Sequence, residues 1–328
     1  MKKLLLLLLF AGLLNTGSVF GWGREGHETI AKIAERNLTK KAKKRIEKYL
    51  GGHSIVYFAK WMDEYRHTPE YKFTNNWHTV PVNAELRYED SMLATGGNAI
   101  YGLEQAIENL KNYRSLTDSA VEVNLKYIIH LVGDMHCPTH VKYPDVKGFN
   151  IYVDGRKLNY HGVWDSYVLD CNVRWSGMEF QHILDRCTKR EIKAITAGSV
   201  RDWFHDCAVY CRQIYVLAQP DQQFKSPDVW EDFLNPALPI AERQILYAGY
   251  RLAQRTVRIT LHPHEHKNGD PFGIAVFDKY RPPYFFSAGV SFSAGTTVFT
   301  ESVAGASPTA AGSAAGSGSA FVPLKTSA

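Results

Sequence analysis

Two histidine–aspartate pairs with the same spacing constrain this chain more than any other feature of its sequence. They are His130-Leu-Val-Gly-Asp134 and His161-Gly-Val-Trp-Asp165. On a helix, residues four apart lie on one face, so an imidazole and a carboxylate placed in this way can hold one divalent ion. A single pair of this kind is more often a hydrogen-bonded surface pair than a metal site. Two pairs, with His140 between them in the chain, favour a metal site.

Helical signals dominate the rest of the chain. Thr39 is a suitable N-cap for a helix over 40–50, and the two glycines that follow are suitable stop signals. Apolar residues at three- and four-residue spacing predict further helices around 125–132, over 203–217 and over 241–261. The run 149–155 alternates weakly and ends in Asp154-Gly155, which predicts a small β-hairpin.

The first residues are typical of an export signal. Two lysines precede an apolar run at 4–14, and Val19-Phe20-Gly21 follows as a pattern that signal peptidase cuts after. The apolar run is too short for an anchor across about 30 Å of hydrocarbon, and no later stretch predicts a transmembrane helix. We therefore expect residues 1–21 to be a signal peptide and the mature chain to be secreted or periplasmic, beginning at Trp22.

The far end of the chain changes in composition after about residue 262. Residues 304–320 contain only Ala, Gly, Ser, Pro and Thr, and such a segment buries too little apolar surface to offset its ordering entropy. We predict a domain over 22–262 and an extension over 263–328 whose low-complexity part is disordered. The aromatic segments 284–286 and 290–292 fit either a strand or a docking segment.

The amino-acid composition excludes few classes of protein. The 328 residues are 45% hydrophobic and 22% charged, as in ordinary globular proteins. Loss of the two signal lysines lowers the formal charge from +5 to +3, which predicts no nucleic-acid-coating protein but would not repel a polyanion. Export makes a disulfide bond possible for the five cysteines, although the sequence does not give their pairing. The chain has no Walker-type phosphate loop, G-x-S-x-G elbow or Cys-x-x-Cys pair.

Three further motifs carry groups that can bind metals or anions. Trp22-Gly-Arg-Glu-Gly-His27 opens the mature chain, Trp61-Met-Asp63-Glu-Tyr-Arg66 supplies a carboxylate and a cation, and Trp77-His78 follows. Each alone has a structural explanation: tryptophans in a core, a helix-face salt bridge between Asp63 and Arg66, and a hydrogen-bonded core histidine at position 78.

The order of these motifs resembles the S1/P1 nuclease family. The resemblance runs from Trp22 to about Leu261 and includes His-x-x-Gly-Asp-x-x-x-Pro-x-His, His-x-x-Trp-Asp and a later Ala248-Gly-Tyr-Arg-Leu-Ala253. It implies an all-α fold shared with zinc-dependent phospholipases C. The small β-hairpin and the disordered C-terminal tail predicted above would add to this fold. It also implies three zinc ions per chain.

The resemblance assigns a ligand set to each zinc ion. The first would be held by Asp63, His78, His130 and Asp134; the second by His140, His161 and Asp165; and the third by the Trp22 amine and carbonyl, His27 and Asp134. Asp134 would then bridge two ions, with Asp63 and Asp134 at the catalytic centre and Arg66 beside the scissile phosphate. His136 could replace His140 or support a ligand, and the family motif favours His140, which follows the proline.

This assignment agrees with ligand chemistry. Nitrogen and carboxylate oxygen suit zinc, and a free α-amine with a pKa of about 7.7–8.0 yields its proton easily to a metal. Cleavage before Trp22 would then export and activate the protein in one event. Metal-activated hydroxide would attack phosphorus, and Arg66 with the third zinc would offset developing charge.

The implied activity is endonuclease cleavage of single-stranded DNA or RNA, with 3′-nucleotidase activity. Family members place an aromatic residue directly after the histidine that matches His78 and an aspartate two residues later, to hold a base. Thr79 and Pro81 stand there, which puts base affinity in doubt at this candidate substrate-binding position. The alternatives are a zinc-dependent phospholipase C, whose last ligand pair typically ends in glutamate, and an inactive exported zinc-binding protein. No stable protein partner is predicted.

Overall fold

The structure, a computed structural model, describes residues 21–171, 177–226 and 228–261 of the chain. All of them belong to one compact unit. The predicted signal peptide up to Phe20, the aromatic segments at 284–286 and 290–292, and the low-complexity run at 304–320 lie outside the described residues.

Helices make up most of the described chain, which confirms the predicted helical fold class. The α-helices are α1 (Arg24–Arg36), α2 (Lys40–Tyr49), α3 (Trp61–Tyr65), α4 (Ala99–Lys111), α5 (Asp118–Asp134), α6 (Tyr160–Gly162), α7 (Val168–Asp170), α8 (Gly177–Leu184), α9 (Lys189–Ile195), α10 (Val200–Cys211) and α11 (Asn235–Leu261). Shorter 3-10 turns occur at Lys72–His78, Asp90–Met92, Tyr113–Ser115, Pro138–His140 and Arg212–Val216, and π-helical turns at Val163–Tyr167 and Trp230–Leu234.

The core forms around α5. Every residue of α5 from Asn124 to Asp134 is buried, because α1, α4 and α11 all pack against this helix. Removal of its leucine, isoleucine and valine side chains from water stabilises the fold by about 1.5–3 kcal/mol for each side chain. The metal-binding candidates of α5 therefore lie at the centre of the molecule rather than on its surface.

Local sequence signals locate several element ends. The Thr39 hydroxyl accepts a hydrogen bond from the Ala42 amide at the start of α2. Just after the end of α2, Gly51 and Gly52 adopt positive φ angles. The helix predicted over 203–217 is wrong at its end, because α10 stops at Cys211 and continues as a 3-10 turn. The helix predicted from residue 241 begins earlier, at Asn235.

Two small sheets complete the fold. β3 (Asn150–Val153) and β4 (Arg156–Asn159) form the predicted hairpin, and positive φ angles at Asp154 and Gly155 fit its two-residue turn. β5 (Gln223–Phe224) pairs with β3 in parallel. The other sheet pairs β1 (Val80–Pro81) with β2 (Val141–Lys142) in parallel.

The five cysteines are free thiols in this structure. Cys207 and Cys211 lie on one face of α10 with their sulfur atoms 3.6 Å apart, beyond the length of about 2.05 Å for a disulfide bond. No helix in the described part of the chain is both long and apolar enough to cross a membrane.

Candidate metal centre

Histidines and aspartates from distant parts of the chain converge at the end of α5. His27 comes from α1, Asp63 from α3, and His130 and Asp134 from α5 itself. The parallel pairing of Val80 with Val141 joins two segments that carry further histidines: His78 lies two residues before Val80, and His140 lies directly before Val141. The members of this cluster are almost fully buried, except for His161, whose side chain is 15% exposed: His27, Asp63, His78, His130, Asp134, His140, His161 and Asp165.

Asp134 is the hub of the cluster. Its Oδ1 lies 3.3 Å from His27 Nε2 and 3.6 Å from His140 Nδ1, and its Oδ2 lies 3.1 Å from His130 Nε2 and 4.0 Å from His78 Nε2. One carboxylate therefore faces imidazoles on both of its oxygens. This is the arrangement that a carboxylate bridging two cations requires.

Asp63 lies beside the same two histidines that face Asp134 Oδ2. Its Oδ1 is 3.6 Å from His78 Nε2 and 3.7 Å from His130 Nε2. Ligand atoms of His78, His130 and Asp134 all lie within 4.8 Å of one another, and the same holds for His27, Asp63 and His130. The structure thus brings together the four residues that sequence resemblance groups as one site.

The second histidine–aspartate pair forms the other side of the cluster. His161 Nε2 lies 3.4 Å from Asp165 Oδ2, and His140 Nε2 lies 3.9 Å from Asp165 Oδ1. The chain between His161 and Asp165 passes from α6 into a π-helical turn, so the regular α-helix assumed for this pair is wrong. Cys137 also lies at this side of the cluster. Its sulfur is close enough to His140 and Asp165 for the three residues to hold one metal ion. Sequence reasoning missed this residue, although it lies between two predicted ligands.

The donor set of the cluster fits divalent metal ions. A buried polar atom normally has a hydrogen-bond partner, since burial without one is unfavourable. At this cluster many buried atoms have no partner beyond one another: both oxygens of Asp63 and Asp134, both ring nitrogens of His27 and His140, and Nε2 of His78, His130 and His161. Imidazole nitrogen and carboxylate oxygen are the ligands that zinc prefers, together with thiolate.

Main-chain carbonyls orient two of the histidines. His130 Nδ1 lies 2.8 Å from the Ala59 carbonyl oxygen, and His78 Nδ1 lies 3.3 Å from that of Asn75. If Nδ1 donates in each case, as a carbonyl partner requires, Nε2 is the nitrogen that points at the aspartates. Burial lowers the pKa of His78 to about 4, which keeps this imidazole neutral and able to bind a metal.

His130 differs in its protonation. Burial acts to lower its pKa, but the carboxylates of Asp134 and Asp63 outweigh burial and raise it to about 9. A proton on Nε2 thus offsets part of the negative charge of the two aspartates. A metal cation can take the place of that proton.

Arg66 is a buried cation at the edge of the cluster. It follows α3 directly, and its amide donates to the Met62 carbonyl. Burial lowers the pKa of His161 to about 2 and that of His78 to about 4, and the charge of Arg66 contributes to lowering both. The positive charge of Arg66 is therefore felt at histidines of both predicted zinc sites. Thr79 lies half-buried just beyond His78.

His136 does not belong to the cluster. Its Nδ1 lies 2.7 Å from the Val132 carbonyl oxygen and its Nε2 lies 2.8 Å from Arg251 Nη1. Burial and the Arg251 charge lower the pKa of His136 to about 3, so the ring is neutral, donates to the carbonyl and accepts from the guanidinium. Both ring nitrogens are thereby used, and the structure places His140, not His136, beside Asp134.

The main chain before α1 also reaches the cluster. A Cβ built on Gly21 would overlap Asp134 Oδ1 and lie 3.1 Å from His140 Cε1. The Trp22 ring is fully buried, and the Gly23 amide donates to the Asp165 carbonyl. These contacts place the predicted start of the mature chain against the carboxylate that forms the hub.

The His27 ring depends on a close approach to Gly133. A Cβ at Gly133 would lie 2.8 Å from His27 Nδ1, and the ring is already stacked on His130 with centroids 4.1 Å apart. We expect Gly133→Ala to displace His27 and to lower the metal content by about one ion per chain, as elemental analysis can measure. Gly162→Ala is the matched control, because its Cβ would meet no atom within 4 Å. An unchanged metal content in Gly133→Ala would contradict this prediction.

The fold and the cluster together define a helical protein with a buried histidine–aspartate centre suited to several divalent ions. The sequence model of the S1/P1 Nuclease family matches residues 22–260, and the chain belongs to this family.

Named proteins that are similar to this chain at modest sequence identity are consistent with membership of this family. Nuclease S1 of Aspergillus oryzae (strain ATCC 42149 / RIB 40) is 25% identical over 264 residues, which cover 71% of this chain and 90% of the relative. Endonuclease 2 of Arabidopsis thaliana is 27% identical over 267 residues, covering 74% and 91%. Nuclease P1 of Penicillium citrinum is 25% identical over 261 residues, covering 71% and 95%.

Proposed function

We propose that this protein is an exported zinc-dependent phosphodiesterase that cleaves single-stranded DNA and RNA and also acts as a 3′-nucleotidase. The observation that carries the proposal is Asp134, a buried carboxylate that faces four imidazoles and has no hydrogen-bond partner outside these histidines on either oxygen. The relatives that the chain matches over nearly their whole length are named nucleases, which supports a phosphodiester substrate.

The proposed ions are three per chain. One would lie among Asp63, His78, His130 and Asp134; one among His140, His161 and Asp165; and one among His27, Asp134 and the amine and carbonyl of Trp22. When bound, zinc ions supply Lewis acidity that activates water and withdraws charge from a phosphate ester. The proposed signal peptide over 1–21 would be removed to expose Trp22, leaving a catalytic domain over 22–262 and an extension over 263–328.

The side chains around the cluster supply the remaining functions. Arg66 is positioned to bind the phosphate and to offset charge that develops on its oxygens, since a guanidinium matches phosphate geometry. Because Arg66 is buried, its attraction for an anion is screened less than at the surface.

A small pocket lined in part by His161 would contact part of the adjoining nucleotide. Lys142 and Lys147 line it together with Phe149, which stacks on Tyr160 with ring centroids 4.3 Å apart. Lysines attract the phosphate backbone and aromatic rings stack on bases without sequence preference. This pocket compensates for Thr79, which offers no aromatic ring beside His78.

A substrate panel tests the proposed function. Purified mature protein is incubated with single-stranded DNA, RNA, 3′-AMP and phosphatidylcholine, with and without a chelator, and the same DNA sequence as a duplex is the matched control. We expect cleavage of the single-stranded substrates and 3′-AMP, abolished by chelator and restored by zinc. Cleavage of phosphatidylcholine alone would identify a phospholipase C instead, and no cleavage of any substrate would indicate a zinc-binding protein without turnover.

A further inference from the structure

Asp165 differs from the other two aspartates of the centre. Apart from the histidines that face them, both oxygens of Asp63 and of Asp134 lack hydrogen-bond partners. Asp165 Oδ1, in contrast, accepts from Cys137 Sγ at 3.4 Å and from Thr139 Oγ1 at 3.3 Å. Its other oxygen, Oδ2, faces His161 Nε2. Oδ1 thus receives two side-chain donors and lies 3.9 Å from His140 Nε2, while Oδ2 is directed at His161.

The turn that carries the two donors is held in place by the main chain. The Cys137 amide donates to the Asp134 carbonyl at 2.9 Å, and the His140 amide donates to the Cys137 carbonyl at 3.0 Å. Cys137 and Thr139 are also buried, so neither side chain can turn towards water. The donors and the ligand candidates on both sides of them therefore keep fixed relative positions.

We propose that Cys137 and Thr139 are positioning residues that hold the Asp165 carboxylate in the orientation in which it would bind a metal. This inference rests on the proposed metal centre. Hydrogen bonds to a ligating carboxylate orient it, and their loss typically weakens metal binding by about 10–100-fold.

Metal affinity tests this role directly. Zinc binding to the full mature chain is followed by competition with a chromophoric chelator for Cys137→Ala, Thr139→Val and the double variant. We expect about 10-fold weaker binding of one ion in each single variant and up to about 100-fold in the double variant, with the other ions unaffected. Cys137→Ser retains a donor and should bind zinc within a few-fold of the parent. Unweakened binding in the double variant would overturn the proposal.

The control for loss of a buried thiol is Cys211→Ala. Cys211 is as buried as Cys137, but its sulfur contacts Cys207 on α10. Thermal unfolding of each metal-free variant checks the fold, and Cys137→Ser and Thr139→Ser keep the test decisive if a larger deletion unfolds. Weaker zinc binding in Cys211→Ala equal to that in Cys137→Ala would contradict a specific role.

Cobalt substitution separates a positioning thiol from a ligating thiolate. Co²⁺ bound to thiolate gives an intense near-ultraviolet charge-transfer band, and Co²⁺ bound to nitrogen and oxygen does not. We expect no such band in the parent protein, and a band that disappears in Cys137→Ala would overturn the proposal in favour of a direct Cys137 ligand. A parent protein that binds no metal would instead refute the proposed centre itself, which elemental analysis distinguishes from both results.

Discussion

Replacement of Asp134 by asparagine is expected to remove at least one metal ion and to lower phosphodiester cleavage at least about a thousandfold. The amide keeps the shape of the side chain but removes the negative charge that faces His27, His78, His130 and His140. An amide also replaces one accepting oxygen with a donor, so it cannot bridge two cations. Metal ions contribute several kcal/mol to charge stabilisation in such reactions, and about 4 kcal/mol corresponds to a thousandfold rate.

Elemental analysis and the cleavage rate on single-stranded DNA are measured together for Asp134→Asn. Asp118→Asn is the matched control, because it makes the same exchange at the exposed first turn of the same helix. That exchange should alter stability by no more than about 1 kcal/mol, through the helix dipole, and leave the metal content unchanged. An Asp134→Asn protein with its full metal complement and parental activity would show that Asp134 is not the bridging ligand.

The parts of the fold that follow from local chemistry could be predicted from sequence. Thr39 starts α2 as an N-cap, and Asp154-Gly155 forms the hairpin turn, because each depends on backbone conformations of neighbouring residues only. The end of α10 at Cys211 could not be predicted. The apolar spacing continues past it, and an α-helix and a 3-10 turn differ little over a few residues.

In the candidate site, too, local features could be predicted from sequence and features that depend on tertiary packing could not. Four-residue spacing identified His130 with Asp134, which one helix brings together. Spacing could not show that the chain between His161 and Asp165 contains a π-helical turn, because α and π turns use the same residue types. The contact of Cys137 with Asp165 depends on tertiary packing across 28 residues, so no local pattern indicated it. The motif order that resembles a family supplied the grouping that spacing alone could not.

A chain that retains one residue before Trp22 is expected to lose about one metal ion and most of its activity. The Trp22 ring is fully buried and fixes the main chain beside Asp134, so an added residue cannot move the terminus away from the cluster. Retention of Gly21 converts the Trp22 amine into an amide, which has no lone pair to offer a cation. Loss of one Lewis acid worth about 3 kcal/mol would lower the rate at least about a hundredfold.

Three forms are compared, each released from a fusion protein by a protease. One begins at Trp22, one begins at Gly21, and one begins at position 21 with Gly21→Ala. Metal content and cleavage rate are measured for each. The alanine form should be the poorest of the three, since its Cβ overlaps Asp134 Oδ1 in addition to the loss of the amine. Removal of the extra residue from the same sample should restore both readouts, which separates a terminal ligand from damage during purification. If the Gly21 form binds as many ions and cleaves as fast as the Trp22 form, the terminal amine is not a ligand, and export and activation are independent events.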